Sequence, residues 1–166
     1  VNFDFNATTL YANASFGNNL NIAGGYLSAT DGKNISEQNF HLFPEDVTLL
    51  GSSSMGMAAN TYSYQFLYEY PDAQGNIFRS ATSKTYNITT SGTSAVYALI
   101  PTCRVTNKRN VRIRAYRNAP SIDPLTFHEI SPLNPVINNP NADAIVFLDT
   151  LSDSAIIGNP PIYTTG

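Results

Sequence analysis

The residue types that most often do chemistry are few and scattered in this 166-residue chain. His41 and His128 lie far apart in the sequence, and Cys103 is the one cysteine. A zinc site needs several His or Cys ligands at short spacings, and a thiol nucleophile needs a base and an orienting group beside it. The sequence offers neither pattern. We therefore assign structural or surface roles to the two histidines and a quiet, partly buried position to Cys103.

Three carboxylates lie close together in "NADAIVFLDTLSD": Asp143, Asp149 and Asp153. Acidic loops at one end of a sandwich can collect a calcium ion, but this spacing does not match the 12-residue calcium loop. We interpret Asp149 and Asp153 as residues that cap or turn the chain after a last strand, and calcium stays the alternative. The sequence thus predicts no catalytic residue, no metal site, no cofactor and no enzymatic activity.

Positive charge is concentrated in one short segment. Six of the nine Lys and Arg residues fall there: Arg104, Lys108, Arg109, Arg112, Arg114 and Arg117. On a strand, Arg112 and Arg114 point the same way and form a small positive stripe. Such a stripe fits an acidic protein neighbour or a solvated face on which Arg stems cover Tyr rings. Nucleic acid is the less favoured partner, because the net charge is −3 and gives no general basic surface.

The sequence predicts that strands position the candidate residues, because side chains on opposite faces of a strand alternate with period two and the sequence has segments of this kind. In "TYSYQFLYEYP" four tyrosines and Phe66 share one face,. The loop "DAQGN" reads as a turn in which Gly75 adopts positive φ, and "IFRSATSKTYNITT" returns as the partner strand. This segment is the clearest hairpin in the sequence, and it contains no catalytic residue types.

Other short strands follow the same logic. We expect them in "DVTLL", "SAVYALIP", "NVRIRAYRN", "LTFHEI" and "DAIVFLDT", with "GSSSMGMAAN" as a small-residue loop. In the basic strand, Ile113 and Ala115 alternate with Arg112, Arg114 and Tyr116. No segment of helical length has a 3.6-residue period. Many short strands separated by turn residues predict an all-β, antiparallel β-sandwich.

Composition divides the chain near Pro44. Residues 1–43 are rich in Asn, Gly, Ala and Ser, and we interpret them as an extended lead-in or as the end of an upstream domain. Residues 44–166 form the sandwich. No apolar run approaches the roughly 18 residues of a membrane helix, so we expect no membrane span. One cysteine allows no internal disulfide.

Four segments together resemble a module found in structural proteins of tailed bacteriophages. They are "TYSYQFLYEYPDAQGNIFRSATS", "AVYALIPTCRVTNKRNVRIRAYRN", "IVFLDTLSD" and "PPIYTTG", and the upstream "IAGGYLSATDGKNISEQNFHLFPEDV" resembles the lead-in to that module. The resemblance covers residues 22–166. The module is similar to fibronectin type III and other Ig-like sandwiches. The chain departs from it in having Tyr70-Pro71 where the family often has Trp and Thr.

The resemblance implies a non-enzymatic virion protein of the tail or the neck and adaptor region, as one piece of a longer chain. Its partners would be other virion proteins, in a homo-oligomeric ring or another symmetric assembly. Tyr and Arg are enriched at interface centres, so eight residues are contact candidates: Tyr62, Tyr64, Tyr68, Tyr70, Arg112, Arg114, Tyr116 and Arg117. Some of these rings must instead form the core, and the sequence does not sort them. The alternatives are a carbohydrate- or receptor-binding module, for which a glycan is the ligand, and an accessory domain beside a hydrolase.

Overall fold

A small antiparallel sheet occupies the N-terminal part of the chain. The computed structural model describes residues 11–24, 27–131 and 135–162. The first four strands are β1 (Asn13–Phe16), β2 (Asn19–Ile22), β3 (Ser28–Thr30) and β4 (Ile35–Glu37). They pair in chain order as a meander. Gly17 and Asn18 both have positive φ between β1 and β2, which is the conformation that a two-residue hairpin turn requires.

Two further sheets contain the rest of the strands. These strands are β5 (Thr48–Met57), β6 (Thr61–Pro71), β7 (Ile77–Arg79), β8 (Tyr86–Thr89), β9 (Ser94–Pro101), β10 (Arg112–Ala119), β11 (Asp123–Glu129), β12 (Val136–Ile137) and β13 (Ala144–Asp149). One sheet has three strands in the order β13-β9-β5, and the other has the order β11-β10-β6-β7, with β8 on β6 and β12 on β10. A single-turn helix, α1 (Asp153–Ile156), follows β13.

The two larger sheets share one hydrophobic core. Alternate residues of β6 and β10, among them Phe66 and Ile113, pack in the same cluster as Val96 and Ile100 of β9. Burial of these apolar side chains is the main stabilising term of such a fold. The prediction of an all-β, antiparallel architecture is confirmed.

Two local predictions need correction. The small-residue segment read as a loop continues β5 to Met57. The expected return strand is split into β7 and β8. Between them, the Ser80 hydroxyl accepts a hydrogen bond from the Tyr68 backbone amide at 2.9 Å. The Ser83 hydroxyl accepts one from the Phe66 backbone amide at 3.0 Å. Side-chain hydroxyls therefore replace backbone carbonyls as acceptors along that part of β6. Residues 13–37 form the four-stranded sheet, and the interpretation of residues 1–43 as a lead-in or as the end of an upstream domain stays a prediction.

Candidate functional site

The tyrosines of β6 are buried, and two of their hydroxyls donate to acceptors on the opposite sheet. Tyr62, Tyr64, Tyr68 and Tyr70 are each less than 5% exposed. The Tyr68 hydroxyl donates to the Pro101 carbonyl of β9 at 2.9 Å. The Tyr64 hydroxyl donates to the Asp149 carboxylate of β13 at 2.8 Å. Burial raises the pKa of both phenols above its ordinary range, so they remain neutral donors that tie the two sheets together.

Arg117 is a buried cation at the same end of the core. Its side chain is 0% exposed and lies between two carboxylates, with Nε 2.8 Å from Asp149 Oδ2 and Nη1 2.8 Å from Asp153 Oδ1. Nη2 also donates to the Leu151 carbonyl at 2.9 Å, and the guanidinium lies 4.7 Å from the centre of the Tyr62 ring. Arg117 therefore attaches β10 to the chain that leaves β13.

The predicted positive stripe is neutralised within the chain. Arg114 contacts Glu69 at 2.9 Å and Glu129 at 2.7 Å. Glu69 has a fully buried side chain, and Arg79 contacts it at 3.1 Å. Arg112 lies 3.9 Å from the same carboxylate. With 34% of its side chain exposed, it is the most exposed of the three arginines among the contact candidates. Arg112 and Arg114 do share a face, as predicted, but that face carries its own acidic partners.

The structure thus sorts the eight contact candidates. Six of them are buried in their own chain: Tyr62, Tyr64, Tyr68, Tyr70, Tyr116 and Arg117. Tyr116 packs with Leu67 and Ile162 in a second, smaller cluster. A side chain buried in this way has no free surface for a neighbouring subunit. A contact role stays a prediction for the partly exposed Arg112 and, with less free surface, for Arg114.

Cys103, His128 and His41 are the residues that the sequence offered for chemistry. Cys103 is buried and free, and burial raises the pKa of its thiol to about 11, with nearby Glu37 adding to the effect. His128 is buried in β11, with Nδ1 3.3 Å from the Asn159 carbonyl oxygen, whereas His41 is exposed. Within the described residues, no three His, Cys, Asp or Glu side chains are grouped to hold a metal ion. No helix of that part is long and apolar enough to cross a membrane.

An uncharged surface covers the side of the three-stranded sheet that faces away from the core. We call it the outer face. It consists of Thr48, Leu50, Ser52, Tyr97, Leu99, Pro101, Ala144, Val146 and Leu148. Leu50, Tyr97 and Leu148 lie side by side in one row across the three strands, with exposures of 52%, 37% and 40%. Val146 is 59% exposed. β13 is an edge strand of this sheet within the described residues.

A cavity of about 300 Å³ lies between the N-terminal sheet and the β6–β7 hairpin. Six side-chain amides and three rings line most of it: Asn19, Asn21, Asn34, Gln38, Asn39, Asn76, Phe16, Tyr70 and Phe78. Asp31, Glu37, Asp72 and Lys108 also border it. We call this space the amide cavity.

The walls of the amide cavity are held together by polar contacts between the two sheets. Asp31 Oδ2 accepts the Ala73 amide at 2.8 Å, and Asp72 Oδ2 accepts Asn19 Nδ2 at 3.0 Å. Lys108 is buried and lies 2.9 Å from Glu37.

The turn between β6 and β7 has the predicted backbone conformation, because Gly75 has a φ of +87° there.

Neither surface was identified from sequence. The outer face had a readable signal, since "SAVYALIP" and "DAIVFLDT" place apolar residues at both alternating positions of a strand, as strands covered on both sides do. The amide cavity had none, because its walls come from segments distant in the sequence. Comparisons of the chain with protein-family models, with curated proteins and with solved structures find no match.

Proposed function

We propose that the chain is a non-enzymatic structural protein of a tailed-phage virion, in the tail or the neck region, and that the outer face is its assembly surface. The observation that carries the proposal is the row Leu50, Tyr97 and Leu148, exposed on a face without a charged side chain. Contiguous exposed apolar surface is typical of protein–protein contacts, and an aromatic ring at the centre is typical of interface hot spots.

The edge strand β13 supports the same role. Free monomers protect edge strands with Lys, Pro or bulges, whereas the outward residues of β13 are Ala144, Val146 and Leu148. A neighbouring subunit that covers the outer face, or pairs with β13, would remove both the apolar exposure and the open edge. We propose a neighbouring virion subunit as the occupant, in a symmetric ring.

An Ig-like or fibronectin type III-like sandwich is part of this proposal. In immunoglobulin folds, strands B, E and D form one sheet and C, F and G the other. Here β5-β9-β13 and β6-β10-β11 have the same neighbours, with β7 and β8 on the free side of β6. The departure is that β13, in the place of strand D, comes last in the chain.

The proposal is tested by genetics and imaging of the native particle. Phage carrying Val146→Lys should lose most infectious titre, because the charge would be buried in the contact. Leu125→Lys is the matched control, since Leu125 is 87% exposed on β11 away from the outer face, and it should assemble normally. Cryo-electron microscopy should show the outer face covered in the tail or neck. A solvent-exposed outer face, or absence of the chain from particles, would overturn the proposal.

A further inference from the structure

Strand β13 turns a row of free backbone groups toward the open edge of its sheet. The Thr102 amide donates to the Asp143 carbonyl at 3.1 Å, and the register of β13 with β9 is regular. In an antiparallel ladder only every second residue bonds to a given neighbour. The odd-numbered residues of β13 therefore bond to β9. The even-numbered residues direct their N–H and C=O groups away from it: Ala144, Val146 and Leu148.

The other long edges of the two larger sheets are protected by the chain itself. Residues 160–162 run along β11 and form backbone hydrogen bonds with Phe127 and Glu129 at 2.7 and 3.0 Å. The register of β5 with β9 is interrupted between Ser53 and Met57, and irregularities of this kind discourage edge pairing. Within the described residues β13 has neither form of protection, and its edge is available to another strand.

A second copy of β13 fits this edge about a two-fold axis at Val146. In an antiparallel pair centred there, Val146 lies opposite Val146 of the second copy. Ala144 of each copy lies opposite Leu148 of the other, so a small side chain meets a large one on the outer face. Because both strands present the same alternate positions, each of these pairs forms two backbone hydrogen bonds.

The inner side of the same pairing is also complementary. Ile145 of each copy lies opposite Phe147 of the other, and both side chains are partly buried against the core. Asp143 and Asp149 face each other beyond the hydrogen-bonded pairs. Asp143 already contacts Arg104, and Asp149 contacts Arg117, so each carboxylate is balanced within its own chain and the repulsion between them is small.

We propose that the chain forms a two-fold dimer through β13, in which two three-stranded sheets join edge to edge into one continuous sheet. The inference rests on the proposed function for its role, and it names a second copy of the chain as the occupant of the edge. A two-fold contact joins two copies, whereas a ring needs head-to-tail contacts. The joined outer faces stay free for those contacts.

Sedimentation velocity of the chain from about 1 to 500 μM measures the association. The contact is small, so we expect a dissociation constant of about 10–100 μM. Val146→Pro removes the N–H group at the two-fold axis, and Pro is tolerated where an edge N–H faces solvent; association should weaken about 10-fold or more. Leu50→Lys is the control, because Leu50 lies on β5, away from the β13 edge, and it should associate as the parent chain does.

Cysteine substitutions test the register directly, on non-reducing gels after treatment with oxidised glutathione. Val146→Cys places two thiols on residues whose Cα atoms lie about 5.5 Å apart, which a disulfide can span, and it should crosslink. Ala144→Cys should not, because the two substituted residues are separated by about 13 Å along the strands. The native Cys103 is buried, so the parent chain should give no crosslink.

The circular dichroism of each variant reports whether it is folded, and the cysteine pair decides the question if Val146→Pro is not. The proposal is overturned if the chain stays monomeric at about 500 μM, if folded Val146→Pro associates as before, or if Ala144→Cys crosslinks as fast as Val146→Cys. Loss of the dimer in Leu50→Lys would move the contact to the outer face, which overturns the β13 dimer and leaves the proposed function standing. A β13 dimer of a chain that is absent from particles would overturn the proposed function alone.

Discussion

Replacing Asp149 by asparagine should destabilise the fold strongly. The substitution keeps a side-chain oxygen that can accept the Tyr64 hydroxyl, but it removes one of two counter-charges of Arg117, whose side chain is 0% exposed. A buried ion that loses a partner costs about 3–5 kcal/mol. Asp153 still contacts the guanidinium, so we expect the lower end, about 3 kcal/mol. In a chain of this size that corresponds to a fall in Tm of roughly 6–12 °C.

Urea unfolding followed by far-ultraviolet circular dichroism measures this effect, since the chain has no Trp for fluorescence. Asp143→Asn is the control, because Asp143 pairs with Arg104 at the surface, where both side chains are more than half exposed; its midpoint should not change. The combination of Arg117→Met with Asp149→Asn and Asp153→Asn should recover part of the loss, as no member of the buried charge cluster is then left unpaired,. Equal midpoints for Asp149→Asn and Asp143→Asn would refute the reasoning.

Three further predictions follow from other parts of the structure. Gly75→Ala should cost about 1 kcal/mol because φ is +87° there,, whereas Gly158→Ala, with open space around it, should be neutral; equal urea midpoints would contradict this. The Cys103 thiol, with a pKa of about 11, should react with a disulfide reagent at neutral pH only as the chain unfolds, and rapid labelling of the native chain would show otherwise. Asp31 and Asp72 have lowered pKa values, so the stability they add is complete above the ordinary Asp pKa and is lost as pH falls through the folded values. Amide spectra should therefore show the N-terminal sheet separating in acid before the core unfolds, and simultaneous loss would argue against that coupling.

The strands of the sandwich were predictable because their signal is local. The alternation in β6 and the apolar run of β9 depend on neighbours two residues apart, and Gly75 fits a turn by itself. The interruption between β7 and β8 was not predictable in the same way. Ser80 and Ser83 replace backbone partners with hydroxyl groups, and nothing in their identity distinguishes that role from an exposed polar position.

The arginines were predicted to lie on the surface for a reason that holds in general. Charged side chains are almost never fully buried unless they are paired. The pairing of Arg117 with Asp149 joins β10 to β13 and depends on how the two sheets face each other, which no local pattern specifies. The Tyr68 hydroxyl likewise finds its acceptor at Pro101, on the opposite sheet.

This inward pairing leaves the outer face as the surface that we propose for assembly. Eight charged side chains are buried among the described residues: Asp31, Glu69, Asp72, Lys108, Arg117, Glu129, Asp149 and Asp153. Each can keep its charge inside only because another group of the same chain balances or solvates it. The tyrosines and most of the arginines that could have anchored a neighbour hold the sandwich together instead. The outer face instead exposes the row of Leu50, Tyr97 and Leu148. A subunit bound there would remove apolar area from water and would leave no charged side chain buried without a partner.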